Sequence, residues 1–252
     1  MNYIVCDLEF NQKYIPSNTT DKNNNESIDS TMKQLPFEII QIGAVKINEN
    51  LEITSNFNEL IRPIVYTDIN PYVENITKIN KDMLSSCETF SNVYKRFLNF
   101  LGDDEAVLCV WGKSDIKEFL RNIKFNNLST SLFPSKYIDV QKHTSKLFNI
   151  QKGKQIGLKT AVEMLNIDFE DTFHDAFYDA LYTYKVFKKI YNPSIIPKIY
   201  NDSNRTHKTK VKIDTDALFK QFSKMYDKEI TAEEKSMIKT AYNMGRTGQF
   251  VK

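Results

Sequence analysis

The order of the short apolar segments limits the possible folds of this chain more than any other feature. Three strand-like segments come first, at residues 2–10, 37–47 and 52–63, and two more follow at 106–111 and 136–140. All five are rich in apolar or β-branched residues, as strands are. Segments with helical spacing of apolar residues lie between and after these strands. This order predicts an α/β domain in which a mixed five-stranded sheet is flanked by helices.

The predicted α/β domain covers residues 1–195 and is interrupted by one polar segment. Residues 11–35 contain few apolar side chains and a run of three asparagines. Such a composition predicts an insertion loop rather than part of the sheet. After the domain, residues 196–212 form a basic linker, and residues 213–252 contain two helical patterns. We therefore expect a small helical C-terminal appendage, whose second helix opens with the capping-box pair Thr231 and Glu234.

The bulk composition excludes several classes of protein. The formal net charge is only +2, so any nucleic-acid footprint must be local. The three cysteines form no C-x-x-C pattern, and we interpret them as ordinary buried thiols of a reducing compartment. The sequence shows neither a signal peptide nor an apolar run long enough to span a membrane. A cytoplasmic location without membrane contact is the expectation.

Two acidic residues lie close together in the first predicted strand. Asp7 and Glu9 are separated by one residue, and the alternation of a strand directs both side chains to the same face. Like charges at this distance repel, and they are costly in a half-buried sheet. Mg²⁺ and similar hard cations take carboxylate ligands. The pair favours a metal site over the alternative, two solvated acids on an edge strand, because apolar residues flank it on both sides.

A second cluster of polar residues lies at the start of a later helix. His174 and Asp179 can converge only if the histidine lies on the loop before that helix and Asp179 lies one turn inside it. Asp175 and Asp179 are four residues apart on one face, so spacing alone does not choose between them. An exposed loop position or a helix cap would also account for His174, and an N-cap for Asp175.

A third acid, Asp115, follows the fourth predicted strand. It comes after the sequence AVLCVWGKS and opens a helix. By itself it is an ordinary acidic residue at a helix start.

Together these residues resemble the DEDDh family of 3′–5′ exonucleases, which is DnaQ-like and has an RNase H-like fold. The signature consists of D-L-E on the first strand, an Asp after a strand ending in W-G, and H-x-x-x-x-D at a helix start. The segments PFEIIQIGAVKI and NITKINKDML are similar to the second strand and the I-T-G-I segment of the family. The most similar branch is the Eri-like or KapD-like exonucleases, and the resemblance covers about residues 1–192.

The sequence departs from the family pattern at three places. Lys78 occupies the glycine position of the I-T-G-I segment, which in the family packs on the 3′-terminal nucleotide. The polar insertion 11–35 is long, and the C-terminal appendage has no counterpart in the family pattern.

The resemblance implies hydrolysis of phosphodiester bonds from the 3′ end of RNA or DNA by a two-metal mechanism that releases nucleoside 5′-monophosphates. Two Mg²⁺ or Mn²⁺ ions would be held by Asp7, Glu9, Asp115 and Asp179. The five-residue step of the family motif selects Asp179 rather than Asp175 as the ligand. His174 would act as the general base.

The expected partner is the 3′ end of an RNA or DNA strand, more often single-stranded, which would be bound by stacking and by basic side chains. Candidate contacts to base or sugar are Leu8, Phe10, Ile76 and Trp111, with core packing as the alternative for Trp111. The basic run within 205–212 is either a phosphate contact or a solvated linker. The appendage, residues 205–252, is a candidate for contact with nucleic acid or with a protein.

Two alternatives assign other roles to the same residues. In one, the chain is a nucleic-acid-binding or interaction module on the same fold with weak catalysis. In the other, the carboxylates hold a purely structural cation, which leaves His174 without a role. The complete set of five signature residues favours the enzyme.

Overall fold

The fold is described from a computed structural model that covers residues 2–14, 31–102, 105–151, 153–170, 172–201 and 214–246. The chain divides into two compact units, Met1–Asn201 and Asp202–Lys252. Most of the polar insertion, the basic run 205–212 and the last six residues lie outside the described part of the chain.

The first unit contains a mixed sheet whose strands follow the predicted order. The strands are β1 (Asn2–Asn11), β2 (Glu38–Ile47), β3 (Ile53–Leu60), β4 (Ala106–Val110), β5 (Lys136–Asp139) and β6 (Lys198–Ile199). Their spatial order is β3-β2-β1-β4-β5-β6. The predicted α/β class and the mixed sheet are confirmed. The predicted number of five strands is one too low, because the two residues of β6 are too few to show an alternating pattern.

Strand β1 lies in the interior of the sheet. It pairs antiparallel with β2 on one side and parallel with β4 on the other. Strands β4 and β5 are parallel as well, so the carboxyl ends of β1, β4 and β5 meet at one edge. Ligand sites of sheets with parallel strands form at this edge.

Helices cover both faces of the sheet. In the first unit they are α1 (Pro71–Thr77), α2 (Lys81–Ser85), α3 (Phe90–Leu101), α4 (Ser114–Phe125), α5 (Val140–Leu147), α6 (Leu158–Met164) and α7 (Ala176–Ile190). None of the helices in the described ranges is both long and apolar enough to cross a membrane.

The two faces of β1 contribute to two different hydrophobic clusters. Ile4, Cys6 and Leu8 pack in the cluster that includes residues of α3 and α4. Tyr3 and Val5 pack in the cluster that includes residues of α7. Strand alternation places the next two residues of this second series, positions 7 and 9, on the face covered by α7.

The second unit contains two described helices, α8 (Thr215–Tyr226) and α9 (Ala232–Arg246). The predicted capping box is present at the start of α9. The Thr231 amide donates to Glu234 Oε2 at 2.9 Å, and the Glu234 amide donates to Thr231 Oγ1 at 3.3 Å. This reciprocal pair satisfies two amides that the helix itself leaves without partners.

The three cysteines are free thiols. Cys6 and Cys109 are buried within the sheet, and Cys87 is half-buried.

Candidate active site

Three carboxylates come together where β1 approaches the start of α7. Asp7, Glu9 and Asp179 each offer an oxygen, and these oxygens lie within 4.8 Å of one another. Asp7 and Asp179 are half-buried, whereas Glu9 is only 9% exposed. Two of the acids are on the interior strand and the third is one turn inside α7. An arrangement of this kind can hold a divalent cation with oxygen ligands.

Gly43 allows α7 to approach the sheet closely enough to complete this cluster. It pairs with Asp7 across the β1–β2 ladder. A Cβ atom at Gly43 would lie 2.2 Å from the carbonyl carbon of Ala176 and from the amide nitrogen of Phe177. Only a residue without a side chain fits at this distance. Gly43 therefore sets the position of the first turn of α7, which carries Asp179.

Gln41 fixes the same helix start by hydrogen bonds. It pairs with Glu9 on the neighbouring strand and is buried. Its Nε2 donates to Asp175 Oδ2 at 3.1 Å and to Asn58 Oδ1 at 3.0 Å. Its Oε1 accepts from the amide of Ala176 at 3.2 Å. Gln41 thus connects β2, the neighbour of the strand that carries Asp7 and Glu9, to the start of α7, the helix that carries Asp179.

The sequence reasoning missed both Gly43 and Gln41, because their roles depend on the register between β1 and β2. A signal for Gly43 was nevertheless present. A glycine inside an otherwise apolar strand often marks a close approach of another backbone.

Asp175 and Asp179 have different surroundings. Asp175 is the N-cap of α7, and its Oδ1 accepts from the amides of Phe177 and Tyr178 at 2.9 and 3.2 Å. Asp179 faces Asp7 and Glu9, and its Oδ2 accepts from the amide of His174 at 3.2 Å. His174 is exposed on the loop before the helix and has a left-handed backbone, with φ of 69°. This conformation is uncommon for a residue with a side chain, and such residues cluster at functional sites.

Asp115 lies in the first turn of α4, after β4, and is outside the three-acid cluster. Burial raises its pKa to about 7, with further contributions from the carboxylates of Glu118 and Asp179. Its charge in turn raises the pKa of Asp7. Asp115 is therefore close enough to take part in the electrostatics of the site.

The acids of the cluster have raised pKa values. Burial raises the pKa of Glu9 to about 9, helped by the charges of Asp179 and Asp175. Burial also raises the pKa of Asp179 to about 6, although the amide of His174 opposes this shift. The pKa of Asp7 rises through burial and through the charges of its acidic neighbours. Several carboxylates in one buried place favour protonation or a bound cation over a set of bare negative charges.

A second observation also indicates that these acids can bind a divalent cation. Oδ1 of Asp179 is buried and has no hydrogen-bond partner among the described residues. An orphaned carboxylate oxygen of this kind is costly unless it binds a cation or carries a proton.

The four predicted substrate contacts lie in different environments. Leu8 is buried in the core, and Phe10 is half-buried with its ring 6.0 Å from that of Phe37. Ile76 is half-buried on α1. Trp111 is half-buried, packs against the cluster that includes α7, and has an Nε1 without a described partner.

Asn11 holds the α1 segment against the end of β1. Its Nδ2 donates to the carbonyls of Tyr66 and Asp68 at 2.7 and 3.0 Å, and its Oδ1 accepts from the amide of Asn70 at 3.0 Å. Asn70 is the N-cap of α1. The register of β1 and β2 shifts between Glu9 and Phe10, which marks a bulge beside the acids. The segment carrying Ile76 is therefore tied to the same strand as the acids.

Lys78 occupies a position where the backbone favours glycine. It is the C-cap of α1, with φ of 61° and ψ of 8°. Its ammonium group donates to the carbonyl of Asn75 at 2.6 Å. The departure from the I-T-G-I pattern is thus accommodated without a change in the left-handed cap.

Comparison with known proteins agrees with this geometry. The sequence model of the RNase_T family, described as exonuclease, matches residues 27–187. This range contains Asp115, His174 and Asp179, whereas Asp7 and Glu9 precede it on β1. The human protein 3′-5′ exoribonuclease 1 is 25% identical over 145 residues, which cover 54% of this chain and 41% of that protein. The chain therefore matches less than half the length of this curated relative.

Solved structures have the same fold. The nuclease domain of 3′hExo, described as a DEDDh family member bound to rAMP, superposes with a TM-score of 0.62 at 20% identity. That match covers 79% of this chain and 96% of the other. A 3′-exonuclease structure described as recognising the 3′ end of a histone mRNA stem-loop has a TM-score of 0.63 at 19% identity, over 79% and 84% of the two chains. These likenesses confirm the RNase H-like exonuclease fold.

Proposed function

This chain belongs to the RNase_T family of exonucleases, and from that premise we propose that it is a metal-dependent 3′–5′ exonuclease of the DEDDh type acting on RNA or DNA. The observation that carries the proposal is the convergence of Asp7, Glu9 and Asp179, with oxygens within 4.8 Å of one another. The products would be nucleoside 5′-monophosphates.

The metal ligands we propose are Asp7, Glu9 and Asp179, with Asp115 in support of a second ion. Two Mg²⁺ or Mn²⁺ ions, when bound, would lower the pKa of the attacking water and neutralise charge on the phosphate and the leaving oxygen. The role of Gly43 and Gln41 is to keep α7 at the distance at which Asp179 faces the strand acids.

His174 is the proposed general base. It lies on the loop before α7 and its own amide donates to Asp179, so its backbone is tied to the acid cluster while its side chain is exposed. Histidine can accept and release a proton near neutral pH, which a general base in hydrolysis must do.

The proposed substrate is the 3′ end of a strand, more often single-stranded. Phe10, Ile76 and Trp111 are candidate contacts to base or sugar, because aromatic and apolar side chains stack on bases of any sequence. Leu8 is the fourth candidate contact, although its side chain is buried in the core. Residues 205–252 are a candidate for further contact with nucleic acid or with a protein.

A labelled-strand assay tests the proposed function. We expect a 5′-labelled RNA or its DNA equivalent to shorten progressively from the 3′ end in Mg²⁺ or Mn²⁺, and EDTA to stop the reaction. Asp7→Ala and His174→Ala should abolish the ladder, whereas Asp82→Asn, which changes an exposed acid on α2, should retain it.

Absence of metal-dependent shortening of both strands would contradict the proposal. If the wild-type protein nevertheless bound the strands, the alternative of a catalytically weak binding module would be correct instead.

A further inference from the structure

A small basic cavity lies at the same edge of the sheet as the acids, beyond the ends of β4 and β5. It has a volume of about 50 Å³, and its lining includes Lys113, Tyr137, Asp139, Lys142, His143 and Lys198. Lys113 is two residues before Asp115, on the loop that follows β4. None of the roles proposed above uses this cavity.

The cations of the cavity come from separate elements. Lys113 is on the β4–α4 loop, Lys142 is in the first turn of α5, and Lys198 is on β6. Within the described ranges, the ammonium groups of these three lysines form no ion pair and no hydrogen bond with another side chain. Three lysines in the lining of one cavity, with a single carboxylate beside them, create a local positive potential, although the net charge of the chain is close to zero.

The single carboxylate in the lining neutralises only part of this charge. Asp139 is buried, caps α5, and accepts from the amide of Lys142 at 2.9 Å through Oδ1. The three lysines outnumber this carboxylate. Burial is the main cause of the lowered pKa of His143; Asp139 opposes the shift, and Lys198 and Lys142 add to it. The cavity therefore attracts an anion and disfavours another cation.

The size of the cavity selects the kind of anion. A water molecule needs roughly 10–15 Å³ of such volume, so the cavity holds about four groups of this size. A phosphate group with its four oxygens matches this space, whereas a base or a ribose does not. Lysine binds phosphate as a point charge and needs no fixed bidentate geometry.

The location points to a phosphate of the strand that the active site holds. The cavity begins at β5, and β4 alone separates β5 from the β1 strand that carries Asp7. Two strand spacings amount to about 10 Å, more than the distance across a single phosphate. The cavity is therefore near the acids but too far from them to hold the phosphate that is cleaved.

We propose that the cavity of Lys113, Lys142 and Lys198 binds one backbone phosphate of the nucleic acid, at a nucleotide other than the cleaved one. The assignment to the strand rests on the proposed function. A free phosphate monoester, such as the released nucleotide, has the same chemistry and is the other source that a test must separate.

The test uses the full chain and a fluorescent eight-nucleotide strand in Ca²⁺, with retention of the intact strand checked on a gel. Strands that carry a neutral methylphosphonate at one position at a time are compared by anisotropy. The test variant is Lys113→Gln/Lys142→Gln/Lys198→Gln. The matched control is Lys95→Gln/Lys154→Gln/Lys189→Gln, which removes three exposed lysines elsewhere in the same unit.

We expect one methylphosphonate position to weaken binding to the wild-type protein and to the control variant by about tenfold. To the test variant, the strand with that methylphosphonate should bind as tightly as the unmodified strand. The test variant should also reduce the slope of log K against log salt by roughly 0.7 relative to the control, as expected for one lost phosphate contact.

A second arm titrates a nucleoside 5′-monophosphate into the same three proteins. Monophosphate binding that is lost only in the test variant, with no sensitive methylphosphonate position, would overturn the assignment to the strand in favour of the free monoester. Equal behaviour of test and control variants in both arms would overturn the phosphate site altogether. Since neither arm depends on turnover, failure of the wild-type protein to shorten a labelled strand would count against the proposed function alone.

Discussion

Glu9 is the acid whose protonation the fold changes most clearly. It is almost fully buried on the interior strand, and burial raises its pKa to about 9. The pKa of Asp179 rises to about 6 and that of Asp115 to about 7 for the same main reason. Without a cation, these three acids therefore bind more protons in the folded chain than in the unfolded chain from about pH 4 upward. Their contribution to stability must then fall as pH rises through this range.

The first prediction concerns the pH dependence of metal-free stability. Above about pH 4.5 the free energy of unfolding of Glu9→Gln should exceed that of the wild type, and the difference should grow up to about pH 9, because glutamine has no charge to bury. Thermal unfolding in EDTA between pH 5 and 9 measures this difference. The exposed control Glu163→Gln should parallel the wild type. A difference between Glu9→Gln and the wild type that shrinks with rising pH would contradict the assignment.

Lys78 provides a second prediction for a single residue. Its left-handed backbone disfavours any side chain, so Lys78→Gly should raise the free energy of unfolding by up to about 1 kcal/mol. Lys78→Ala loses the same ammonium contact but keeps the Cβ atom, and it should show no such gain. Denaturant unfolding of both variants compares them. A glycine variant less stable than the alanine variant would contradict the backbone explanation.

At the level of elements, β1 and α7 show which parts of the site are predictable from a sequence. The alternation of β1, the apolar spacing of α7 and the order of such segments along the chain are local patterns, and they predict the strand, the helix and the fold class. The five-residue step between His174 and Asp179 is implied by the family resemblance. The pairing of Asp7 with Gly43 and of Glu9 with Gln41 is not local. It depends on a register that forms only when distant segments meet, which is also why the basic cavity was missed.

The close approach of α7 to β2 gives the third prediction. Gly43→Ala places a Cβ atom against the backbone of Ala176 and Phe177, so it should destabilise the protein by about 1–3 kcal/mol or more and weaken Mn²⁺ binding by moving Asp179. Gly157→Ala is the control, since the nearest atom to its new Cβ is Thr160 Oγ1 at 3.9 Å. Thermal unfolding and a Mn²⁺ titration measure the two effects. Equal behaviour of the two variants would show that the approach does not matter.

At the level of the whole molecule, the acids and the basic cavity lie in the first unit, which is also the part that has the RNase H-like fold. The second unit, Asp202–Lys252, adds the two helices α8 and α9. The sequence predicts a basic linker over residues 196–212 and a helical appendage over residues 213–252, and the basic run 205–212 lies outside the described structure.

The fourth prediction separates the two units. A chain that ends at Asn201 should cleave a dinucleotide at the wild-type rate but bind a long strand more weakly, because a basic run that follows the phosphates would be lost. Dinucleotide hydrolysis and anisotropy with a long strand measure the two properties. An equal loss on the short and the long substrate would contradict a separate binding role for the second unit.

The most direct measurement of the central claim is Mn²⁺ binding to two variants of neighbouring acids on α7. Asp179→Asn removes a proposed ligand. Loss of a residue that only hydrogen-bonds to a metal ligand lowers metal affinity by roughly 10-fold or more, so loss of the ligand itself should lower Mn²⁺ affinity by at least that factor. Asp175→Asn keeps a good N-cap and should bind Mn²⁺ as the wild type does. A calorimetric titration of the three proteins decides between the two acids. Equal losses in both variants, or a larger loss in Asp175→Asn, would contradict a metal centre built on Asp7, Glu9 and Asp179.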